Sequence, residues 1–142
     1  MAIHFFSEDV PLPIENSNKT SLWLNNVIGQ HHSNLSELNY IFCSDEYLHS
    51  INVQYLNHDD YTDIITFDNS EEEHSIEGDI YISTERVNEN AKAFNVSFQE
   101  ELNRVMAHGL LHLLGYGDKT ESQKIEMRKK EDACLSLLSE IK

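Results

Sequence analysis

Apolar residues recur along the chain with two different periods, one typical of strands and one typical of helices. Alternation of apolar and polar residues predicts strands at Ala2 to Phe6, Leu38 to Cys43, Ile64 to Phe67 and Glu77 to Ser83. Helical spacing predicts helices over about Lys19 to Gln30, Asp45 to Tyr55, Thr84 to Phe94, Ser97 to Leu114 and Thr120 to near Lys142. This order predicts a single α+β domain over residues 1–142, with a mixed sheet of about four strands packed with about five helices.

Short signals mark where several of these elements begin and end. Ser97 to Glu100 and Thr120 to Gln123 each have the spacing of a capping box, in which two side chains satisfy backbone amides at a helix start. Gly115 is the residue type expected just past a helix end. Gly78, inside a strand, indicates a bulge or a close approach of another chain segment. The acidic stretch Asp68 to Ser75 is predicted to be a solvated loop.

Composition places the chain among ordinary globular proteins. The first residues lack the basic start and long apolar run of a secretory signal, and no apolar stretch reaches the ~20 residues of a membrane helix. We therefore expect a cytoplasmic protein that makes no contact with a membrane. Cys43 and Cys134 lie in apolar segments without metal-type spacing, so we expect both to be small buried thiols.

The formal net charge of −15 limits how the chain can meet nucleic acid. A protein held on nucleic acid by a broad basic surface needs clustered Lys and Arg to neutralise phosphates, and this charge argues against that class. The charge does not exclude an enzyme that meets RNA at one metal site. It predicts weak non-specific binding and a partner that delivers the substrate.

Two histidines stand in the second half of the helix predicted to end at Leu114. His108 and His112 differ by about 40° around the helix axis and about 6 Å along it, so both imidazoles point the same way. The residues around them are apolar on all sides, which predicts a buried helix. Two core histidines bonded to backbone or acids are one interpretation. Shared ligation of one metal ion at the end of this helix is the one we favour, because it removes the cost of burying unpaired imidazoles.

A third ligand is expected close by. Gly115 and Gly117 allow the chain to turn back, and Asp118 follows six residues after His112, so two imidazoles, a carboxylate and a bound water form a plausible open catalytic site. Asp118 as a turn residue, or as a carboxylate that orients an imidazole, is the alternative. A zinc peptidase is disfavoured, because Gly109 occupies the position of that motif's general base.

Three blocks of the sequence, in order, resemble the YbeY family of bacterial endoribonucleases. His108 to Asp118, with Met127 downstream, is similar to the family pattern His-Gly-x-Leu-His-Leu-x-Gly-Tyr-Asp-His. Asn52 to Phe67 is similar to Asn-x-x-Tyr-Arg-x-x-Asp-x-Pro-Thr-Asp-Val-Leu-Ser-Phe, and Gly78 to Ile80 to the family's Gly-Asp-Ile strand. The resemblance covers roughly Ile51 to Met127.

The chain departs from the family pattern at three positions. Asp118 replaces the third histidine, which adds a negative charge to the site. Leu56 replaces the arginine, so a cation for phosphate contact has to come from elsewhere, with Lys119 and Arg86 as candidates. Tyr61 replaces the proline, a milder change in the backbone.

The resemblance implies a single-strand-specific, metal-dependent endoribonuclease. Its implied role is maturation of the 3′ end of small-subunit ribosomal RNA and ribosome quality control, with one Zn²⁺ per chain that activates water and with ribosomal RNA or the small subunit as partner. Thr62 and Thr66 are expected to contact substrate, because Thr62 to Phe67 would form one wall of the cleft. Two alternatives stay open: a non-catalytic ribosome-associated factor with a structural metal, and a metallohydrolase of another substrate.

Overall fold

The alternating segments form a four-stranded mixed sheet in the computed structural model, which describes residues 2–141. The strands are β1 (Ala2–Ser7), β2 (Asn34–Cys43), β3 (Ile64–Asp68) and β4 (Ser75–Ser83). Their order in the sheet is β1-β2-β4-β3. β1, β2 and β4 run parallel, whereas β3 is an antiparallel edge strand paired with β4. The predicted mixed sheet is confirmed.

The helical segments form the five predicted helices. They are α1 (Ser17–Gln30), α2 (Asp45–Leu56), α3 (Thr84–Ala93), α4 (Phe98–Leu113) and α5 (Glu121–Ser139). Each begins after a polar residue whose side chain accepts a hydrogen bond from a backbone amide of the first turn. Within residues 2–141, every helix is too short or too polar to cross a lipid bilayer.

Some boundaries differ from the sequence prediction for reasons of pairing and capping. β2 begins at Asn34 and β4 at Ser75, because these two residues pair with each other in the parallel ladder. The capping box at Thr120 is complete. At Ser97 the hydroxyl accepts from the Glu100 amide at 3.0 Å, but among the described residues no return bond from the Glu100 side chain is found. The predicted box there was therefore only half right.

The two faces of the sheet are covered unequally. α1, α4 and α5 cover one face, where Tyr40, Phe42 and Ile80 belong to the large core. α2 covers the other face over a small core that includes Cys43 and Ile65. Alternate residues of β2 thus serve different cores, as expected for a strand with period two.

Both cysteines are buried, as predicted, whereas several large apolar residues of the helices are exposed. Leu22 is 51% exposed, because the buried residues of α1 centre about 170° away around the helix. Tyr55 and Phe94, at helix ends, are 64% and 62% exposed.

α4 lies close against the sheet because glycines stand at two contact points. A Cβ on Gly109 would lie 2.9 Å from Cδ1 of Ile64 and 3.0 Å from Cγ2 of Ile80. A Cβ on Gly78 would lie 3.2 Å from Cδ1 of Leu113 in α4 and 2.5 Å from the carbonyl oxygen of Phe67, so the close approach predicted there is confirmed. The position of the α4 histidines relative to β3 is therefore fixed by this close packing.

Candidate metal centre

The two histidines of α4 point into the same space at the C-terminal half of that helix. Nε2 of His108 lies 3.0 Å from Nε2 of His112, and the two rings are close to perpendicular. Their side chains are 22% and 27% exposed, so both are recessed but open to solvent on one side. The spacing of four residues on one helix is sufficient to produce this convergence.

The second nitrogen of each ring has a partner that fixes its tautomer. Nδ1 of His112 donates to the carbonyl oxygen of Tyr116 at 2.9 Å, and Nδ1 of His108 donates to Oε2 of Glu131 at 2.6 Å. An imidazole that donates from Nδ1 carries its lone pair on Nε2 when neutral. Both lone pairs therefore point at the same position.

The turn after α4 delivers both the carbonyl group and the third candidate ligand. Gly115 has φ of +107°, in the region that favours glycine, and this turn brings the Tyr116 carbonyl back to His112. Three residues after Gly115, Oδ2 of Asp118 lies 3.3 Å from Nε2 of each histidine. The structure thus brings His108, His112 and Asp118 together as one cluster.

The spacing of the three atoms fits a metal ion. A tetrahedral ion with bonds of about 2.0–2.1 Å has ligand atoms about 3.3–3.4 Å apart. The three separations here are 3.0, 3.3 and 3.3 Å. Two neutral imidazoles and a carboxylate are also a donor set that Zn²⁺ accepts, with a fourth position left for water or substrate.

Glu131 and Arg104 complete the centre, and the sequence interpretation missed both. Glu131 is 6% exposed, contacts His108 through one oxygen and accepts from Nη1 of Arg104 at 3.0 Å through the other. A signal was present, since Met127, Glu131 and Cys134 form the buried stripe of α5. A carboxylate within an apolar stripe indicates a buried partner.

Burial and charge act in opposite directions on the pKa values at the site. Burial alone would lower the pKa of His108, but the hydrogen bond and charge of Glu131, with Asp118 and Asp63, raise it above its usual range. Burial raises the pKa of Asp63, although the nearby His108 and Arg86 oppose that shift. Asp63 is thus a recessed carboxyl group close enough to His108 for their charges to interact.

The metal centre opens into a cleft of about 1090 Å³. Thr62 and Thr66 line this cleft together with the three candidate ligands, so the expected wall is present. The hydroxyl of Thr62 donates to the carbonyl oxygen of Ile64 at 3.4 Å. Substrate contact by either threonine stays a prediction.

The two cations considered in place of the family arginine differ in position. Leu56 and Lys119 line the cleft. Nη2 of Arg86 instead contacts Oδ2 of Asp45 at 2.7 Å, and its guanidinium lies 5.7 Å from the ring centre of Tyr61. Arg86 is therefore committed to structural contacts, and Lys119 is the one that borders the cleft.

Tyr61, in place of the family proline, anchors the loop before β3. Its ring stacks on His49 with centroids 4.2 Å apart, and its hydroxyl donates to Oε1 of Glu46 at 2.9 Å. The buried amide of Asn52 donates to the carbonyl oxygen of Asp60 at 2.8 Å. These contacts fix the cleft wall to α2.

Comparison with known proteins gives a consistent result over nearly the whole chain. The model of the family described as Endoribonuclease YbeY matches residues 3–139. A Cytophaga hutchinsonii protein named Endoribonuclease YbeY is 53% identical over 135 residues, covering 95% of this chain and 94% of that protein. A Flavobacterium johnsoniae protein of the same name is 51% identical, covering 93% and 94%.

Among solved structures, a Thermotoga maritima protein studied in solution is similar to this chain. The TM-score is 0.68 at 28% sequence identity, and the match covers 96% of this chain and 89% of the other. The arrangement of strands and helices described above therefore recurs in a distant relative.

Proposed function

The chain belongs to the endoribonuclease YbeY family, and on that premise we propose that it is a metal-dependent hydrolase that cuts single-stranded RNA internally. The observation that carries the proposal is the convergence of Nε2 of His108, Nε2 of His112 and Oδ2 of Asp118 at 3.0–3.3 Å in an open cleft. Convergent lone pairs without hydrogens between them repel one another, and a cation at their centre removes that repulsion.

We assign the ligand set as His108, His112 and Asp118 and the ion as one Zn²⁺ per chain. The bound ion supplies a Lewis acid that polarises a phosphoryl oxygen and acidifies water. The chain supplies the orientation: Glu131 and the Tyr116 carbonyl hold the two Nδ1–H groups, so that both rings face the ion before it binds. The carboxylate of Asp118 lowers the net charge of the site by one relative to a third histidine.

The cleft wall is the proposed place of substrate contact. Thr62 and Thr66 line the cleft with hydroxyl groups that can donate to ribose or base acceptors. The ligand atoms are recessed on histidines that are 22% and 27% exposed, which favours a flexible single strand over a rigid duplex. Replacing Thr66 by valine should raise KM for RNA with little change in metal content.

The proposed cellular role is maturation of the 3′ end of small-subunit ribosomal RNA and ribosome quality control, in the cytoplasm. The charge of −15 supports a partner that presents the substrate, and the ribosomal small subunit is the proposed one. We also propose that residues 1–142 are one metallohydrolase domain. The two alternative functions are not favoured, since the curated relatives described above are named as endoribonucleases.

Replacing His112 by alanine tests the proposal directly. Wild-type protein should hold about one zinc ion per chain by mass spectrometry and cut a single-stranded RNA, whereas His112→Ala should lose both. His4→Ala is the matched control, because His4 lies on the edge strand β1, where its exposed side chain contacts Glu37 at 2.8 Å. Cleavage that persists in metal-free His112→Ala protein would show that another site or protein cuts the RNA.

Replacing Asp118 by alanine separates a ligand from a turn residue. A lost ligand should weaken zinc affinity by more than tenfold, while loss of an orienting carboxylate costs about 10–100-fold through the histidines. X-ray absorption at the zinc edge of Asp118→His protein distinguishes the two, since only a residue at a ligand position can add a third imidazole to the two around the ion. A signal of only two imidazoles in Asp118→His would contradict direct ligation at this position.

A further inference from the structure

Positive charge is concentrated in one short segment of this acidic chain. Five of the ten Lys and Arg residues, but only two of the 25 Asp and Glu residues, lie between Lys119 and Lys130. The segment therefore carries a net charge of +3, whereas the whole chain carries −15. It begins directly after Asp118 and continues into the first half of α5.

Two of these cations border the metal centre, and a third follows on the same side of α5. Lys119 lines the cleft. Nη1 of Arg128 lies 3.9 Å from Oε1 of Glu131, whose other carboxylate oxygen contacts His108 at 2.6 Å. Lys124 precedes Arg128 by one helical turn and lies about 6 Å from it along the same side of α5. We refer to Lys119, Lys124 and Arg128 as the basic strip.

The strip is weakly engaged by the chain's own carboxylates. Lys124 and Arg128 approach Glu121 and Glu131 at 3.8 and 3.9 Å, and their side chains are 58% and 64% exposed. Glu131 is itself buried, but a contact of 3.8–3.9 Å to an exposed cation is weak and leaves that cation free to meet other partners. Arg104 is different, because it is 15% exposed and is bound by carboxylates at 2.8 and 3.0 Å.

The opposite wall of the cleft has the reverse character. Asp60, Asp63 and Asp68 line it, and Leu56 presents an apolar side chain where the family pattern has arginine. Phosphates are repelled from that wall and attracted to the strip. This charge distribution favours a strand whose backbone lies on the α5 side of the metal centre.

We propose that the basic strip binds the phosphates of single-stranded RNA next to the phosphodiester held at the metal centre. The inference rests on the proposed function, because the strip is continuous with the cleft in which RNA would be cut. It also assigns the phosphate-binding role that Leu56 cannot fill to a different element, the start of α5. An acidic protein is the other polyanion such a strip could bind, and the test below includes it.

Binding of a labelled single-stranded RNA to metal-free protein, followed by fluorescence anisotropy, tests the strip without cleavage of the probe. The test variant is Lys124→Gln/Arg128→Gln. The matched control is Lys92→Gln/Lys129→Gln, which removes the same charge from the end of α3 and from a position about 160° around α5 from Glu131. All four substituted positions are exposed, so neither variant disturbs the core.

The dependence of affinity on salt gives the expected magnitude. Each neutralised phosphate of a single strand contributes about 0.7 to the slope of log K against log salt, so loss of two contacts should lower the slope by about 1.4. Affinity at low salt should fall about three- to tenfold, given the small size of exposed ion pairs. Lys124→Arg/Arg128→Lys should keep the wild-type slope. In the zinc-loaded enzyme the test variant should raise KM and leave kcat unchanged.

Equal slopes for the test and control variants would overturn the inference. The inference would also fail if the test variant lost binding to labelled polyglutamate while its RNA binding equalled that of the wild type. The partner of the strip would then be an acidic protein. If zinc-loaded wild type binds RNA through the strip but cuts none, the proposed function fails while the strip stands. If it cuts RNA and the two double variants behave alike, the strip fails while the function stands.

Discussion

Replacing Glu131 by glutamine removes one negative charge from the contact that orients His108. In the wild type Oε2 accepts from Nδ1 of His108 at 2.6 Å and Oε1 accepts from Nη1 of Arg104 at 3.0 Å. Glutamine has one carbonyl oxygen and one NH₂ group. Whichever way the amide is turned, either His108 or Arg104 faces a second donor.

The magnitude follows from the kind of bond that is lost. A hydrogen bond to a charged group contributes about 1.5–3 kcal/mol, and this one is buried, since Glu131 is 6% exposed. Loss of a group that orients a metal-binding histidine typically weakens metal affinity by about 10–100-fold. We expect Glu131→Gln to fall in that range and also to lower the free energy of unfolding of the metal-free protein.

Competition with a chromophoric chelator measures the zinc affinity, and urea denaturation of metal-free protein measures the stability separately. Glu126→Gln is the matched control, because Glu126 lies on the same helix, is exposed and carries the same charge. If Glu131→Gln and Glu126→Gln bind zinc equally well, Glu131 does not position His108. If Glu131→Gln lowers the free energy of unfolding but leaves the zinc affinity unchanged, Glu131 acts through folding alone.

Two further predictions concern packing and burial. Gly78→Ala places a Cβ 2.5 Å from the carbonyl oxygen of Phe67 and should lower the free energy of unfolding, measured in urea, by about 3 kcal/mol. In the control Gly29→Ala the new Cβ meets nothing within 4 Å, so the free energy of unfolding should rise by up to ~1 kcal/mol. Equal effects of the two substitutions would contradict the close contact at Gly78. Burial raises the pKa of Cys43 to about 12 and that of Cys134 to about 11, so at about pH 8 their thiolate fractions are roughly 10⁻⁴ and 10⁻³. Both thiols should react with a thiol-specific reagent only when the protein unfolds, and fast reaction in the native state would contradict the burial.

The elements that the sequence predicted well are those set by neighbouring residues. The helical spacing of His108 and His112 fixes their relative direction within one turn, and the structure brings their Nε2 atoms to 3.0 Å. Capping side chains such as Thr120 act on amides three residues away, so the start of α5 was predictable. The first residues of β2 and β4 were not, because their extended conformation depends on pairing with each other.

The same distinction divides the site. From the sequence alone came the two histidines on one helix face, the glycine turn that follows them and the carboxylate of Asp118 within reach. Tertiary structure decided that Glu131, 23 residues further along, would contact His108, and that Arg128 would lie beside it. It also decided that Arg86 would be bound to Asp45, whereas Lys119 would line the cleft. The reason is physical: bond geometry and hydrogen bonds within a turn act locally, whereas contacts between α4 and α5 depend on how the whole core packs.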